Sequence, residues 1–333
     1  MKAAILRALH QLPNVEDHPI PVPQKGKVRV RLRCAALNRR DYWIIKGAYP
    51  KIQLPVILGS DGMGFVDEVG EGVKTQWQER RVLIDPGLFW GADNDVQSRR
   101  FQVLGMPADG TLAEYVTVPE ENIYEAPAHL SDAQAAALPL AGVTAYRALF
   151  TRGKLQPTDR VLITGIGSGV ATMALLLALP TGADVWVSSS REEKIEKAVN
   201  LGARGGFVYS DSQWTRKALA ETDGFTLIID GGGGTGFARL VDVAAFGARI
   251  VIYGGTSGAI EGLLPARIFW KQLDIRGTTM GSPRDFRRML RWVTRHHIRP
   301  LIDTEYPLDA VHMAFERLAS ADHMGKIVVR ITC

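Results

Sequence analysis

The first 125 residues show the alternation of apolar and polar positions that is typical of β-strands. Lys27–Cys34 alternates charged and apolar side chains with period two, which predicts a strand with one face toward solvent. Short apolar runs bounded by Gly, Pro and Asp follow it, and no long helical pattern interrupts them. We therefore predict a β-rich segment, whose further strands are Val56–Leu58, Gly64–Val69, Arg81–Ile84 and Ala113–Val118.

From about residue 130 onward, helical periodicity alternates with short apolar runs. Ser131 and Gln134 have the spacing of a capping box and predict the start of an Ala-rich helix. Strands and helices then alternate, which predicts a parallel sheet covered by helices on both faces. The predicted strands are Arg160–Thr164, Asp184–Ser188, Gly206–Tyr209, Phe225–Asp230 and Ala248–Gly254, with helices at Gly169–Leu179, Arg191–Leu201, Asp211–Ala220 and Thr235–Ala245.

The pattern changes again after residue 281. Pro283–His297 and Leu308–Ala319 are predicted as amphipathic helices, and Gly325–Ile331 as a closing strand. We interpret this segment as the return of the chain to complete its first domain. The predicted fold class is therefore α/β, with a doubly wound parallel-sheet domain at 127–281 inserted into a β-rich domain formed by 1–126 and 282–333.

A glycine-rich turn at the end of the first predicted parallel strand indicates a dinucleotide site. Glycines let the backbone approach a pyrophosphate, and the following helix N-terminus supplies free N–H groups and a positive dipole end. The literal G-x-G-x-x-G pattern is absent, so the position after a strand and before a helix carries the prediction. The predicted phosphate-binding residues are Gly165, Gly167, Ser168, Gly169 and Val170.

The end of the second parallel strand favours NADPH as the cofactor. A site for NAD usually has Asp or Glu here to bind the ribose 2′-hydroxyl. The strand end from Val185 to Arg191 contains no acid before Glu192 and presents hydroxyl groups and two cations instead, which suit a 2′-phosphate. The alternative is that the two cations are solvated helix residues. The predicted 2′-phosphate site consists of Ser189, Ser190, Arg191 and Lys194.

Composition narrows the possible partners and compartments. The 333 residues carry a net charge of +5, but the basic pairs are scattered between apolar runs, so we expect no nucleic-acid partner. Two cysteines, Cys34 and Cys333, exclude a disulfide framework and a four-cysteine metal site. The chain shows neither a signal-peptide pattern nor a membrane-spanning apolar run, so we expect a cytoplasmic protein acting on a small molecule.

Three segments resemble the medium-chain dehydrogenase/reductase superfamily, and its quinone oxidoreductases in particular. They are Asn38–Asp41 followed by Gly47–Pro50, then Leu58–Gly64 continuing into Val69–Val73, and Leu138–Tyr146. The resemblance covers essentially the whole chain in order. It implies a GroES-like catalytic domain, an inserted Rossmann cofactor domain, and a homodimer or homotetramer.

The chain departs from the zinc-dependent members of that superfamily at the metal ligands. At the matching positions it has Asn38, Ser60 and Leu140, and zinc favours thiolate, imidazole and carboxylate. Residues 87–105 match the structural-zinc lobe and contain no cysteine. We therefore predict that neither zinc is bound and that no residue of this chain is a metal ligand.

The candidate catalytic residues lie in the resembling segments. We expect Asn38 to orient a substrate oxygen or the cofactor carboxamide, and Tyr49 to donate a hydrogen bond or a proton, unless it is only a packed aromatic. Asp41 is expected to fix the Asn38 loop, and Ser60 is the weakest candidate. The resemblance adds four cofactor residues, which are Thr144, Tyr209, Gly254 and Gly255.

Without a Lewis acid, the favoured reaction is hydride transfer to an activated acceptor, such as a quinone or an α,β-unsaturated carbonyl. An enoyl-thioester reductase is the nearest alternative; basic residues at Arg39–Arg40 or at 284–288 would then bind the carrier group. A non-catalytic NADPH-binding or RNA-binding protein and a zinc alcohol dehydrogenase are the other two alternatives.

Overall fold

The computed structural model describes residues 1–331 of the chain. They form two compact units, one from Met1–Ala141 with the described part of Ser282–Cys333, and one from Gly142–Gly281. The first unit therefore includes residues 127–141, which the sequence-based boundary places with the second. The second unit is an insertion in the first, as the change of hydrophobic pattern along the chain predicts.

The first unit is built on an antiparallel sheet around strand β3, Lys27–Ala36. Its apolar positions Val28, Val30 and Leu32 are fully buried, while the charged positions between them face outward, so the period-two pattern places one face in the core. The strands of this unit are β1 Lys2–Leu6, β2 Asn14–Asp17, β3, β4 Val56–Ile57, β5 Asp61–Val69, β6 Arg81–Ile84, β7 Gly87–Leu88, β8 Gln102–Val103, β9 Tyr115–Pro119, β10 Ile123–Glu125, β17 Ile302–Pro307 and β18 Lys326–Arg330.

The strands of the first unit pair in three sheets. The largest has the order β10-β6-β5-β3-β18-β17, with β9 also paired to β3; β2-β1-β4 and β7-β8 form the smaller sheets. Strand β18 thus lies beside β3, and the register sets Val328 opposite Ala36. This pairing brings the C-terminal strand next to the segment that contains Asn38.

Four helices complete the first unit. They are α1 Arg39–Ile45, α2 Asp132–Ala137, α9 Pro283–Arg295 and α10 Val311–Ser320. The capping boxes predicted by Ser131 and observed again at Ser282 satisfy backbone N–H groups at the starts of α2 and α9.

The second unit contains a six-stranded parallel sheet. Its strands are β11 Arg160–Ile163, β12 Asp184–Ser189, β13 Gly205–Val208, β14 Phe225–Asp230, β15 Ala244–Ile252 and β16 Asp274–Gly277, in the spatial order β13-β12-β11-β14-β15-β16. This is the doubly wound order, in which the direction of winding reverses beside the first strand.

The helices of the second unit connect these strands. They are α3 Pro139–Tyr146, which begins at the end of the first unit and continues as the π-helical segment Arg147–Arg152, then α4 Gly169–Ala178, α5 Glu192–Asn200, α6 Trp214–Thr222, α7 Phe237–Val243 and α8 Pro265–Trp270. The aromatic cluster of Trp186, Phe207, Trp214 and Phe225 fills one core of this unit.

The predicted α/β fold, with a doubly wound parallel-sheet unit inserted into a β-rich unit, is confirmed. Residues Arg81–Ile84 and Phe225–Asp230 form strands with the predicted bounds. Sequence patterns missed the helix α1 and the short strands β7 and β8, because segments of two to seven residues carry too few positions for a period to emerge. No helix within residues 1–331 is long and apolar enough to span a membrane.

Candidate active site

The carboxyl ends of three neighbouring strands in the second unit carry glycine turns. Gly165 follows β11, Gly231 follows β14, and Gly254 follows β15. A Cβ on Gly254 would lie 2.9 Å from the Gly231 carbonyl oxygen, so the turns after β14 and β15 approach each other more closely than larger residues allow. The carboxyl edge of such a sheet is where nucleotides bind in this type of fold.

The predicted phosphate loop adopts the conformation that its glycines permit. Gly165 and Gly167 have φ values of +63° and +121°, which disfavour other residues. Ser168 is the N-cap of α4, and its hydroxyl accepts a hydrogen bond of 3.3 Å from the Ala171 amide. Gly169 and Val170 form the first turn, where backbone N–H groups lack partners within the helix. The loop therefore fits the pyrophosphate of a dinucleotide.

Two residues that sequence patterns missed fix this loop. The hydroxyl of the half-buried Tyr253 is hydrogen-bonded to Ser168; desolvation of the phenol raises the pKa of Tyr253 above its usual value, while that bond opposes the rise. The Asp230 carboxylate accepts bonds from Thr164 Oγ1 at 2.6 Å and from the Gly233 amide at 2.8 Å. Both therefore hold the turns after β11 and β14 in place.

The end of β12 presents the predicted 2′-phosphate residues. Ser189 is buried, and its hydroxyl accepts a hydrogen bond of 3.1 Å from the Arg191 amide; Ser190 and Arg191 are exposed, and Lys194 is half-buried in the first turn of α5. The Tyr209 amide donates to the Ser189 carbonyl at 2.9 Å, so Tyr209, which is 46% exposed, lies beside this strand end.

The remaining predicted cofactor residues also belong to the second unit. Thr144 is buried in α3, and Gly255 is exposed in the turn after β15. A Cβ on Gly255 would meet nothing closer than 4.0 Å, so its role there is not one of close packing against the protein.

In the first unit, Asn38 stands at the centre of a buried polar cluster. Its Oδ1 accepts a hydrogen bond from Lys326 Nζ at 2.6 Å, and its Nδ2 donates to Asp61 Oδ2 at 2.9 Å. Lys326 Nζ also donates to Asp61 Oδ2 at 2.8 Å, and the Leu140 amide donates to Asp61 Oδ1 at 2.7 Å. Asn38 and Leu140, two of the three positions matched to zinc ligands, therefore donate hydrogen bonds to the Asp61 carboxylate.

The third position, Ser60, is tied to a different cation. The Arg40 guanidinium donates to Ser60 Oγ at 2.6 Å and to the Leu104 carbonyl at 2.8 Å, and Ser60 Oγ itself donates to Leu104. Arg40 Nε lies 3.3 Å from the Tyr49 hydroxyl, with its guanidinium 4.8 Å from the Tyr49 ring centroid. Ser60 is fully buried, and its hydroxyl is bonded to Arg40 and to the Leu104 carbonyl. Tyr49 is only half-buried.

Asp41 lies in the first turn of α1 and bonds to the backbone of the same loop. Its Oδ2 accepts a hydrogen bond of 2.8 Å from the Asn38 amide. Burial raises the pKa of the Asp41 carboxyl above its usual value, against the opposing charge of Arg40. This geometry holds Asn38 at the N-terminus of α1.

The structure brings all four predicted catalytic residues together around α1. Asn38 is bonded to Asp41, and Arg40 is bonded to Tyr49 and Ser60. Sequence patterns missed Lys326, Asp61 and Arg40 as members of the cluster. Asp61 lies next to Ser60, and its charge inside an apolar run was the available signal. Within residues 1–331, no three His, Cys, Asp or Glu side chains are grouped as a metal site would require.

A parallel sheet with a phosphate turn in one unit and a buried polar cluster in an antiparallel unit are typical of oxidoreductases of the two-domain dehydrogenase type. Comparison with known proteins agrees. Residues 24–128 match the alcohol dehydrogenase GroES-like domain, and residues 169–295 match the zinc-binding dehydrogenase family. The chain belongs to the medium-chain dehydrogenase/reductase superfamily.

Individual relatives extend over almost the whole chain. A zinc-type alcohol dehydrogenase-like protein, YogA of Leptosphaeria maculans, is 35% identical over 96% of this chain and 94% of its own. The crystal structure of an NAD-dependent alcohol dehydrogenase superposes with a TM-score of 0.94, at 35% identity and 100% coverage of both chains. An acryloyl-coenzyme A reductase of Sulfurisphaera tokodaii is 26% identical over 99% of this chain and 100% of its own.

Proposed function

We propose that this oxidoreductase is a zinc-independent reductase that uses NADPH to reduce a quinone or an α,β-unsaturated carbonyl compound. The observation that carries the proposal is the set of hydrogen bonds made by the residues at the three zinc-ligand positions. Asn38 and Ser60 are hydrogen-bonded to the cations Lys326 and Arg40, and Leu140 offers only its backbone amide. None of the three positions therefore presents the thiolate, imidazole or carboxylate that zinc favours, and the Asn38 and Ser60 oxygens already accept hydrogen bonds from protein cations.

The same groups suit the charge that develops on a substrate oxygen. When bound, NADPH supplies the hydride, and the acceptor gains that hydride and one proton in total. Asn38 and Tyr49 contribute neutral N–H and O–H donors, which stabilise an enolate or phenolate oxygen as its charge grows. Arg40, bonded to the Tyr49 hydroxyl, orients that group, and Tyr49 or water delivers the proton.

The preference for NADPH rests on the end of β12. Ser189, Ser190, Arg191 and Lys194 supply hydroxyl groups and positive charge, and residues 185–191 contain no carboxylate. Because one similar structure is that of an NAD-dependent alcohol dehydrogenase, a comparison of NADPH with NADH tests this preference directly. We expect Arg191→Ala to raise the KM for NADPH about 10- to 100-fold, as the loss of a charge-assisted hydrogen bond implies, and to leave the KM for NADH nearly unchanged.

The test is stopped-flow oxidation of NADPH against a panel of quinones, enals, enones and enoyl thioesters, with NADH in parallel. Rapid oxidation by quinones or enones with NADPH supports the proposal. Turnover with NADH alone contradicts the cofactor assignment. Metal analysis of the active protein separates the alternatives, because about one zinc per subunit together with alcohol oxidation would identify an alcohol dehydrogenase.

An enoyl-thioester reductase is the second candidate, and the acryloyl-coenzyme A reductase relative favours it. A coenzyme A tail needs basic residues to bind its phosphates, and Arg39 and Arg287 are two of the candidates. The Arg39 guanidinium donates to the Leu318 carbonyl at 3.0 Å, and burial lowers the pKa of Arg39. Arg287 lines a separate surface depression with Trp90 and Arg100. Competitive inhibition by free coenzyme A at micromolar concentration would favour this candidate over quinone reduction.

A non-catalytic protein that binds NADPH, with or without RNA, would bind the cofactor without oxidising it in the presence of any acceptor of the panel. RNA binding would also weaken steeply with salt. Turnover with one acceptor is enough to reject that alternative.

We also propose that the chain forms a homodimer through the edge of its parallel sheet. Strand β16 is one of the two edge strands of the sheet, and large apolar side chains are exposed near it. Trp270 is 74% exposed and Phe269 55%, both in the helix that precedes β16, and Phe246 is 77% exposed in β15. A sheet edge with adjacent apolar surface is typical of an interface between identical subunits.

A further inference from the structure

The ammonium group of Lys326 is almost completely withdrawn from solvent. Its side chain is 4% exposed and that of Asp61 is 0% exposed, yet the two form an ion pair of 2.8 Å. A buried ion pair is costly to form and persists where further hydrogen bonds satisfy both ions. Here the Asn38 amide and the Leu140 N–H provide them, so the pair and Asn38 form one network.

This network determines which way the Asn38 amide faces. Its oxygen lies 2.6 Å from the ammonium, and its nitrogen lies 2.9 Å from the carboxylate oxygen. A rotation by 180° would set the NH₂ group against the ammonium and the oxygen against the carboxylate, which would replace two attractions by two repulsions. The side chain is therefore held in one orientation by two opposite charges.

The amide still has one donor that is weakly engaged. Nδ2 carries two hydrogens; one is used by Asp61, and the other meets the Ala36 carbonyl only at 3.4 Å, at the limit of hydrogen bonding. Asn38 as a residue is 8% exposed, whereas Asp61 is fully buried. Among the side chains of the network, that of Asn38 belongs to the most exposed residue, since Lys326 is 3% exposed.

We propose that Lys326 is a positioning residue that acts through Asn38 and fixes the amide so that its second N–H meets the carbonyl oxygen of the hydride acceptor. This inference rests on the proposed reductase function. The ammonium also draws electron density toward Oδ1, which makes the Nδ2 hydrogens stronger donors. Lys326 itself need not touch the substrate, and the acceptor class it serves is one with an oxygen conjugated to the carbon that receives hydride.

The first test is a double-mutant cycle of Lys326→Met and Asn38→Ala, with the acceptor that the wild type reduces best. Losing or misplacing one oriented donor is expected to lower kcat about 10- to 100-fold. We expect each single variant to show such a loss, the KM for NADPH to change less than threefold, and the double variant to be no slower than Asn38→Ala. Losses that multiply in the double variant, or an unchanged kcat in Lys326→Met, would overturn the inference.

Controls separate positioning from stability. Lys271 is a matched lysine in the second unit, whose ammonium donates to three backbone carbonyls, those of Val241, Asp242 and Ala244. Lys271→Met is expected to lower Tm without a selective loss of kcat. If Lys326→Met does not fold, Lys326→Arg keeps the charge but cannot reproduce the bond geometry, and it is expected to lower kcat at nearly unchanged Tm.

The second test does not depend on turnover. The side-chain ¹⁵N–¹H₂ signals of Asn38, assigned by their loss in Asn38→Ala, are expected to be sharp and displaced in the wild type because the amide is held. In Lys326→Met or Lys326→Arg they are expected to move toward the positions of exposed asparagines. Unchanged signals would refute the role of Lys326 even if the protein reduced no acceptor, whereas a failed acceptor panel with altered signals would count against the reductase function alone.

Discussion

Asp85 follows strand β6 and is a carboxyl group that the fold keeps 1% exposed. Burial raises its pKa to about 7, although the hydrogen bond from the Gly87 amide and the charge of Arg287 oppose the rise. An unfolded aspartate ionises near pH 3.9. The folded state is therefore penalised progressively as pH rises from about 4 to 7, and the penalty is constant above that range.

Asp85→Asn should remove that penalty. We expect the variant and the wild type to be similarly stable near pH 4 and the variant to be more stable at pH 8, by up to about 4 kcal/mol. Urea denaturation between pH 4 and 8 measures the difference. The control is Asp303→Asn, because Arg317 holds the pKa of Asp303 at about 2 despite the opposing effect of burial. The loss of unfolding free energy in Asp303→Asn should be the same at pH 5 and pH 8. An effect of Asp85→Asn that does not vary with pH would contradict the raised pKa of Asp85.

Cys34 is a second residue whose chemistry is set by its surroundings. Burial raises the pKa of its thiol to about 12, and the charges of Asp132 and Glu305 add to the rise. Because the thiolate is the reactive form, a Cys333→Ser variant should not react with Ellman's reagent at pH 8 until urea unfolds it. Labelling of the native variant within minutes would show that Cys34 is accessible.

At the scale of elements, the close packing of β3 against β5 depends on a glycine. A Cβ on Gly64 would lie 2.0 Å from the Arg31 carbonyl oxygen and 2.9 Å from Leu32 Cα, which are backbone atoms in the paired strand. Neither atom can move without disrupting the sheet. The β5 segment that leads from Asp61 therefore requires this residue to keep its register.

Gly64→Ala is expected to destabilise the protein by about 3 kcal/mol, the upper range for overpacking, and to lower Tm accordingly. Differential scanning calorimetry measures the change. Gly236→Ala is the matched control, since a Cβ there would meet nothing within 4 Å and the backbone already has right-handed helical angles, with φ −69° and ψ −19°. Equal Tm values for the two variants would show that the sheet tolerates the extra methyl group.

At the scale of the whole molecule, the exposed aromatic surface near β16 predicts self-association. Light scattering coupled to gel filtration should give twice the 36.5 kDa subunit mass for the wild type. Trp270→Glu places a charge in the proposed interface and is expected to give the monomer mass. Val22→Glu, at a residue of the first unit that is 73% exposed, is the control and should leave the mass unchanged. A dimer that persists in Trp270→Glu would exclude this edge as the interface.

The sequence by itself determined the β-rich character of the first unit and the alternation of strands and helices in the second. Period-two runs such as that of β3 and the strand–glycine–helix turn at 165–170 are local patterns, and local backbone preferences and burial fix them. The prediction of NADPH likewise rests on neighbouring residues alone, at the end of β12. Asn38 and Ser60 became candidate catalytic residues because they occupy the zinc-ligand positions of segments that resemble the superfamily.

Only the tertiary structure decided what surrounds those side chains. Lys326 is 288 residues from Asn38 along the chain, and the pairing of β18 with β3 brings them together. Tyr253 reaches Ser168 in the same way, because β15 and β11 both flank β14. No periodic pattern encodes such pairs, since a sheet joins strands regardless of their separation in sequence. The chemistry of the buried cluster is therefore a property of strand order rather than of any one segment.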